Sequence, residues 1–572
     1  MKVQQITQNN INANKAPQFK GAIDGTLRYL ATNQAVGANV VDLSFMVIPR
    51  TANDTIRRGP LAGMETGRRE ASGTVNHSLI GVYGAGAGAL VAAIMGIDRK
   101  FGTKSNEIMA APETIDILAQ YKSEQLIDGK LQKDYLRKTL EGIRAFNPTS
   151  AKADKDGFVK ISDKTIEEII DILDEVINDK DMNFKKWSSK KTNNSLDVVL
   201  HKITEDTGAQ SKYVLKFIEE HLSASGDNLK TESTILKDSE TNLRTLLEDI
   251  YKVSEAFNKE NVIKAFQKQV KDKAKVLENE FIKSLTRYGK IKSIAGFAIG
   301  SAIGMSIQPI NMYLTKKKTG QDGFVGVEGR SKDTSFGFKI LKTGSAAAFF
   351  AMVLSTLNPE RTGLKKISPK GFMSKMAFKG FWPTLSQLKA IYGLTIISRL
   401  FVARDKDELR ESLTKDTLGF LSWLVLGDFV NKMVAEGLDK KLEKSVMNRT
   451  KEVAGKGYWS RVFNSSLKNR DEVLIEALAE NGISTVKKDG DKIIAKSFKE
   501  LLAELDKLPE AVRNLTKKRL STLNKAQLAG YAFSGLVLGL GIPNLNIYIT
   551  NKLDKKHKAQ LAEQQKLAMV KA

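Results

Sequence analysis

Three uncharged segments constrain the fold of this chain more than any other feature of its sequence. They read SLIGVYGAGAGALVAAIMGI (Ser78 to Ile97), IAGFAIGSAIGMSIQPINMYL (Ile294 to Leu314) and LAGYAFSGLVLGLGIPNLNIYIT (Leu528 to Thr550). Each has about 20 residues, the length that a helix needs to cross a hydrocarbon core of about 30 Å. Their many Gly, Ala and Ser residues weaken a helix in water but let helices pack closely in a bilayer. We therefore expect these segments to be continuous membrane-spanning helices with apolar outer faces; the alternative is a buried helical hairpin in a large soluble protein.

Three shorter apolar segments lie between the second and third of these, at residues 343–357, 390–403 and 417–434. Apolar runs of about 10–14 residues are as often interior or interfacial helices as membrane spans, so the sequence leaves their placement open. Two of the segments contain an ionisable residue, Arg399 in one and Asp428 in the other.

The charge of the chain indicates its partners. Lys and Arg number 90 against 65 for Asp and Glu, a formal net charge of +25. Such an excess attracts either anionic lipid headgroups or nucleic-acid phosphates. The basic residues crowd the ends of the apolar segments, which favours anionic membrane lipids and makes nucleic acid a poor candidate. They flank both ends of these segments, so the positive-inside rule gives no orientation. A homo-oligomer or a complex with another protein is left open.

The remaining segments are polar. Residues 1–40 are predicted to be a disordered tail without a cleavable signal peptide, since no apolar run follows the start, and residues 41–77 an extended basic segment. Residues 98–293 show the periodicity of a helical soluble insert. A second helical insert at 435–527 has a predicted hairpin near 483–496, and residues 551–572 form a polar tail. The predicted fold class is therefore mainly α: a multi-pass helical membrane protein with helical soluble inserts and one or two small β-hairpins.

Matches between the two parts of the chain, in the same order in each, indicate an internal duplication. Around the second and third long segments, a Pro is followed by an Asn and then a Tyr: Pro309, Asn311 and Tyr313 in one, Pro543, Asn546 and Tyr548 in the other. The other matching pairs are residues 96–101 with 437–442, the Arg-Glu dipeptides 69–70 with 410–411, and the Asp-Gly turns 156–157 with 489–490. Each proline is expected to kink or end its helix, because it lacks the amide donor.

No catalytic or metal-binding motif withstands inspection. The absence of cysteine excludes disulfides, thiolate nucleophiles and Cys-ligated metal sites. The run from Gly84 through Gly86 and Gly88 to Ala89 contains GxGxxA, but an acidic residue about 20 positions on is missing; these glycines are better read as helix-packing residues. Residues 154–163 resemble part of a calcium loop, yet lysines replace two ligand positions. The four histidines lie far apart.

The ionisable residues inside apolar segments permit two interpretations. In the simpler one, Asp428 pairs with Lys432 one helical turn away and Arg399 lies near water. In the other, the helices at 390–403 and 417–434 pack antiparallel and bring Arg399 to Asp428 as an intramembrane ion pair.

The function predicted from the sequence is that of a non-enzymatic integral membrane protein without a cofactor, acting as a scaffold or as a permeation or translocation component. Two alternatives remain: a soluble or peripheral basic protein that binds a polyanion, and a nucleotide-cofactor enzyme that uses the glycine run at 84–89.

Overall fold

The computed structural model describes residues 22–32, 34–179, 186–187, 195–208, 212–219, 232–235, 242–268, 278–320, 332–357, 372, 375–378, 383–490 and 492–571. Within these ranges the chain is mainly helical, with a few short strands. The helical elements of the N-terminal part are α1 (Ala22–Thr32), α2 (Gln34–Val41), a π-helical turn (Asp42–Val47), α3 (Ile48–Arg58), α4 (Pro60–Ser78) and α5 (Ile80–Met95).

Residues from Ile97 to Gln267 alternate helices with short strands. These elements are α6 (Ile97–Phe101), α7 (Pro112–Ile127), α8 (Gln132–Gly142), β1 (Ile143–Phe146), β2 (Phe158–Lys160), α9 (Asp163–Asn178), α10 (Ser195–Thr207), β3 (Tyr213–Glu219), β4 (Glu232–Ile235), α11 (Leu243–Phe257) and α12 (Glu260–Gln267). A 3₁₀ turn (Ser105–Glu107) lies between α6 and α7.

The C-terminal part begins with long helices, passes through a small insert and ends in a second long helical stretch. Its elements are α13 (Glu280–Thr319), α14 (Phe336–Thr356), α15 (Leu385–Phe401), α16 (Lys406–Leu421), a π turn (Ser422–Leu426), α17 (Gly427–Asp439), β5 (Met447–Asn448), α18 (Lys451–Ala454), α19 (Tyr458–Asn464), β6 (Ser466–Leu467), α20 (Arg470–Glu480), β7 (Val486–Asp489), β8 (Lys492–Ala495), α21 (Phe498–Leu505), α22 (Glu510–Ser534), a π segment (Gly535–Gly541) and α23 (Ile542–Lys571).

Each of the three long apolar segments is helical. The expectation of one continuous helix is wrong for the first segment: Ser78 ends α4, the chain bends at Leu79, α5 runs from Ile80 to Met95, and Gly96, in the left-handed conformation at φ +61°, separates it from Ile97. The segment from Ile294 lies wholly inside the 40 residues of α13. The segment from Leu528 runs through α22, the π segment and α23 without a break in the helical path.

Four helical stretches among the described residues are long and apolar enough to cross a membrane. They are Glu280–Thr319, Phe336–Thr356, Lys406–Asp439 and Glu510–Leu553. The pair α4 and α5, bent by 48° at Leu79, makes a fifth if the two are taken as one span. Large apolar side chains on these stretches face outward, among them Ile310, Ile340 and Leu540.

The shorter apolar segments have different environments. Segment 343–357 lies in α14 and segment 417–434 runs from α16 into α17, and both belong to candidate spans. Segment 390–403 lies in α15, most of whose residues are buried against α13, α14 and α16. Helix α15 is therefore an interior helix of the bundle, which explains why its apolar run is short and interrupted by polar residues.

The predicted tail at 1–40 and the extended segment at 41–77 are wrong where the structure describes them. Residues 22–32 form α1, residues 34–41 form α2, and residues 42–77 are helical throughout except at Gly59. Helix α1 is fixed by the ion pair between Arg28 and Asp471 (2.7 Å) and by Gln527, which donates to the Leu27 carbonyl. Residues 1–21 lie outside the described residues. Partners hundreds of residues away stabilise these polar helices, and a local pattern cannot indicate them.

The first insert contains more β-structure than a hairpin. Its four strands form an antiparallel sheet in the order β2-β1-β3-β4, with Ala145 opposite both Val159 and Tyr213. Helices α7 to α11 pack around this sheet and share one apolar core, which includes Leu118, Ile143 and Leu247. In the second insert, β7 and β8 form a hairpin at 486–495, inside the predicted range.

Glycines let helices cross closely at two places in the bundle. A Cβ on Gly296 of α13 would lie 3.1 Å from the Cα of Gly84 in α5. A Cβ on Gly530 of α22 would lie 2.9 Å from the carbonyl oxygen of Gly427 in α17, and closer still to the Asn431 side chain. Both crossings leave no room for a side chain, as is common where helices pack through small residues.

Gly530→Val is expected to lower the free energy of unfolding by about 1–3 kcal/mol, because the added methyl groups must push α22 away from α17. Unfolding in detergent micelles measures the change. Gly86→Ala is the matched control, since a Cβ there meets nothing within 4 Å and alanine favours a helix. Equal stability of the two variants would contradict the close crossing.

Candidate functional site

Eight charged side chains meet inside the helical bundle, and we call them the ionic core. Helices α3 and α4 supply Arg58, Glu65, Arg69 and Glu70, and the end of α15 with α16 supplies Arg399, Arg404, Glu408 and Glu411. Each side chain is at most 9% exposed. Four arginines face four glutamates, so the formal charges balance. This balance is what burial in a medium of low dielectric requires.

Two ion pairs of the ionic core connect the two sets of helices at matching positions, and the arginine comes from a different set in each pair. Arg58 donates to both carboxylate oxygens of Glu411, at 2.8 and 2.9 Å. Arg399 lies 3.2 Å from Glu70. Glu70 follows Arg58 by 12 residues, and Glu411 follows Arg399 by 12 residues. Each set of helices therefore gives its arginine to the glutamate of the other set.

The remaining four members of the ionic core form a closed ring of alternating charge. Arg69 lies 3.2 Å from Glu408 and 3.6 Å from Glu65, and Arg404 lies 2.9 Å from Glu408 and 3.2 Å from Glu65. The carboxylate of Asp405 accepts hydrogen bonds from two backbone amides at the start of α16, which fixes that helix end beside the ring.

A small polar cavity of about 20 Å³ lies next to the cross-linked pairs, with room for about one water molecule. Its lining residues are Asp54, Arg58, Ala62, Glu65, Thr66, Arg69, Glu70, Glu411, Ser412 and Lys415. Carboxylates and cations alternate around it, and the Lys415 ammonium lies 3.0 Å from Glu70. No group of three or more His, Asp or Glu side chains in the described part of the chain is placed to hold a metal ion.

The predicted pair between Arg399 and Asp428 does not form. Arg399, 3% exposed, contacts Glu70 and lies 2.6 Å from Asp416. The side chain of Asp428 is 63% exposed and lies 3.0 Å from Lys432, the i,i+4 pair of the simpler interpretation. Asp428 is the second residue of α17 and lies 12 residues, more than three helical turns, beyond Asp416, so Asp416 reaches Arg399 and Asp428 does not.

The Pro-Asn-Tyr motifs of the two long helices have matching environments. Asn311 and Asn546 are buried, whereas Tyr313 and Tyr548 point outward with 65% and 64% exposure. Asn311 donates to Ser72 in α4 at 2.8 Å, and Asn546 donates to the Glu411 carbonyl in α16 at 3.0 Å. The threonine two residues after each tyrosine is also buried and accepts a hydrogen bond from an arginine of the same neighbouring helix: Arg68 to Thr315, Arg410 to Thr550.

The expected role of the prolines as helix ends is wrong. Pro309 lies inside α13, which continues to Thr319, and Pro543 is the second residue of α23, directly after the π segment. The carbonyl of Met305, which a proline four residues on leaves without its helical donor, accepts a hydrogen bond from the Ser398 hydroxyl at 2.6 Å. A neighbouring helix thus replaces the missing donor, and α13 passes through the proline as a helix.

The long helices differ by one residue, and a π segment absorbs the difference. From the first residue of the apolar segment to its tyrosine, α13 has 20 residues (294–313) and the other helix has 21 (528–548). The π segment Gly535–Gly541 lies between these points. A π turn holds one residue more than an α turn, so Asn546 and Tyr548 keep the faces that Asn311 and Tyr313 have.

The glycine run at 84–89 lies inside α5, whereas a dinucleotide-binding site needs such glycines in a turn between a strand and a helix. The structure therefore gives the nucleotide-cofactor alternative no support at this run. The glycines themselves have different surroundings. A Cβ on Gly84 would lie 2.5 Å from the ring of Phe378, and one on Gly88 would lie 2.9 Å from the Tyr288 hydroxyl. Gly86 faces open space, because a Cβ added there would have no other atom within 4 Å.

Most of the ionic core was missed by sequence reasoning. The Arg-Glu dipeptides at 69–70 and 410–411 match in sequence, but they do not pair with each other: Glu70 pairs with Arg399, Glu411 pairs with Arg58, and Arg410 lies outside the ionic core. An available signal was the repeated 12-residue spacing of Arg58 to Glu70 and Arg399 to Glu411. Comparisons with protein-family models, with curated proteins and with solved structures find no match for this chain.

Proposed function

We propose that this chain is a multi-pass integral membrane protein that translocates a small polar solute or ion, and that the ionic core with its cavity is the translocation site. The observation that carries the proposal is the enclosure of eight paired charges by helices whose outward side chains are apolar. Charged groups inside a membrane are costly, and where they occur they mark ion or substrate paths. In a scaffold the same pairs would serve only to fix the register of the two helix sets.

We further propose that the protein arose by internal duplication. Helices α3 to α5 with α13 correspond to α15 to α17 with α22 and α23. In both sets the long apolar helix packs along the other helices of its set, α13 along α4 and α5, and α22 and α23 along α17 and α16. The crossed ion pairs and the matching Asn and Tyr positions support this correspondence. Ligand sites of duplicated transporters lie at the interface of the repeats, where the cavity lies here.

The inserts repeat a smaller unit in the same order. Elements α8, β1, β2 and α9 match α20, β7, β8 and α21, with Gly157 and Gly490 both at positive φ in the turn that precedes the second strand. Both of the following helices begin after a serine cap, Ser162 and Ser497. The basic surface of the chain fits contact with the anionic lipids of the membrane that would surround it.

Single cysteines test the translocation site directly, because the chain has no cysteine of its own. Thr66→Cys and Ser412→Cys place a thiol on the cavity, and Ile310→Cys and Leu540→Cys place one on the outer apolar face, where each native side chain is 55% exposed. In membrane vesicles, a small water-soluble methanethiosulfonate cation is expected to label the two cavity positions when the site opens during translocation, since the cavity described here holds only about one water molecule, and to leave the outer pair unlabelled. Lys164→Cys, exposed on the first insert, is the positive control.

Each alternative gives a different labelling pattern. A soluble or peripheral protein would be labelled at Ile310→Cys and Leu540→Cys as readily as at Lys164→Cys. A membrane scaffold with a closed core would leave Thr66→Cys and Ser412→Cys unlabelled from both sides of the membrane. Either result contradicts the proposed function.

A further inference from the structure

A buried histidine lies beside the ionic core. His77, near the end of α4, is completely buried, and its Nε2 lies 3.3 Å from Oδ2 of Asp42 in the π turn before α3. The same Asp42 oxygen accepts the hydroxyl of Thr74 at 2.5 Å. The His77 ring also packs against two aromatic rings, those of Tyr392 at 5.6 Å and Trp423 at 5.3 Å.

Several polar groups around His77 have no hydrogen-bond partner. Both ring nitrogens of His77, the Tyr392 hydroxyl and all three guanidinium nitrogens of Arg50 are buried in this state. Arg50 forms an ion pair with Glu70, with 3.4 Å between the guanidinium nitrogen and the carboxylate oxygen. More than 90% of buried polar groups in proteins have a hydrogen-bond partner, so a cluster of open donors and acceptors is unusual. A histidine that takes up a proton needs an acceptor beside the ring nitrogen that receives it, and Asp42 lies beside Nε2 of His77.

The charge in contact with His77 is Asp42 of the π turn. Tyr392 of α15, which packs against the His77 ring, lies in the field of Asp42, Arg50 of α3, Glu70 of α4 and Asp416 of α16. Arg399 of α15 pairs with Glu70 and Asp416, and Lys415 of α16 pairs with Glu70. Three carboxylates face three cations, so this cluster is neutral when His77 is neutral. Protonation of the imidazole makes it +1, with Asp42 as the nearest counter-ion.

Resting on the function proposed above, we propose that the translocated ion is the proton and that His77 binds it in transit. The cavity and the cluster around His77 share Glu70, which lines the cavity and contacts Arg50. A hydronium ion that enters from the cavity gives up a proton: its O–H bond breaks as an N–H bond forms at the imidazole of His77, where Asp42 balances the charge. The N–H bond breaks in turn when the proton leaves to water. The step needs no oxidant or reductant. Chains of Asp, Glu and His are the usual proton carriers inside membranes.

Proton flux into liposomes tests this inference. The purified protein is reconstituted with the pH-sensitive dye pyranine inside, and a potassium gradient with valinomycin makes the interior negative. The wild type is expected to acidify the interior, and His77→Gln to lower the initial rate by about ten-fold or more, since glutamine cannot bind the proton. His201→Gln, in the first insert, is the matched control and is expected to leave the rate unchanged. A wild type that does not acidify the interior overturns the inference.

A second readout does not depend on flux. Trp423 lies 5.3 Å from His77, and an imidazolium quenches indole fluorescence by accepting an electron from the excited ring. Emission is therefore expected to fall on acidification, and this fall is expected to be absent in His77→Gln and unchanged in His201→Gln. If His77→Gln does not fold, the proton flux of the wild type and of Asp42→Asn tests the inference instead, because Asp42→Asn removes the counter-ion of His77. Cavity labelling without proton flux would support the translocation site and refute only the proposal that the translocated ion is the proton.

Discussion

Arg399→Met is expected to lower the free energy of unfolding by about 3–5 kcal/mol, the largest effect of any single substitution in the ionic core. The change removes the cation that lies 2.6 Å from Asp416 and 3.2 Å from Glu70. Glu70 keeps Arg50 and Lys415, but the completely buried Asp416 loses its ion-pair partner. A buried charge without a counter-charge is costly, whereas a buried pair as a whole contributes little.

The double variant Arg399→Met with Asp416→Asn separates these two effects. It removes both charges together, so much of the lost stability is expected to return, and unfolding in detergent micelles measures the difference. Arg244→Met is the matched control, because its pair with Asp197 lies at the surface and is worth at most about 1 kcal/mol. If Arg399→Met is as stable as Arg244→Met, the ionic core does not balance charge as described.

Glu472→Gln is expected to stabilise the protein in alkaline solution but not in acid. Glu472 of α20 is completely buried, and burial raises the pKa of its carboxyl from an ordinary value of 4.5 to about 7. As the pH rises from 4.5 to 7, the unfolded chain loses this proton while the folded chain keeps it, so the free energy of unfolding falls across that range. The difference in pKa corresponds to a loss of about 3 kcal/mol at most.

Glutamine reproduces the neutral carboxyl. Its amide oxygen can accept from the Asn469 backbone, as the carboxylate does at 3.1 Å. Its amide group can donate to the open Oδ1 of Asn448 once the Asn448 amide, whose Nδ2 now donates to Glu472 at 3.2 Å, turns over. The melting temperature of Glu472→Gln should therefore equal that of the wild type near pH 5 and exceed it near pH 8. Glu480→Gln, on the exposed end of the same helix, should show no such pH-dependent difference. The same offset at both pH values would refute a neutral Glu472.

The positions of the long apolar helices could be predicted because their evidence is local. An uncharged run of about 20 residues has few stable alternatives to a helix. The hairpin at 486–495 could be predicted for the same reason, since Asp489-Gly490 is a turn signal between two short β-like runs. Strands β3 and β4 were missed because the sheet that pairs them assembles elements from distant parts of the insert.

The polar helices and the ionic core depend on contacts that a local pattern does not contain. Residues 48–77 carry many charges and few apolar side chains, which predicts an extended surface segment rather than interior helices. Their burial depends on ion pairs with Arg399, Glu408 and Glu411. The local pattern around Arg399 points only to residues close to it in the sequence. The sequence marks Arg399 as unusual but indicates the wrong partner, because Asp416 lies just before the apolar segment that contains Asp428.

The crossed ion pairs have a consequence for how the protein is made. During translation Arg58 and Glu70 leave the ribosome with their partners, Glu411 and Arg399, still 353 and 329 residues behind. The N-terminal set has a counter-charge of its own for each of these groups, Asp54 for Arg58 at 3.7 Å and Arg50 for Glu70 at 3.4 Å, but the crossed partners lie closer, at 2.8 and 3.2 Å. In the proposed membrane location, the N-terminal set can therefore enter the lipid with provisional pairs. The shorter crossed pairs form only after α15 and α16 have been made, so the final arrangement of charges depends on the whole chain.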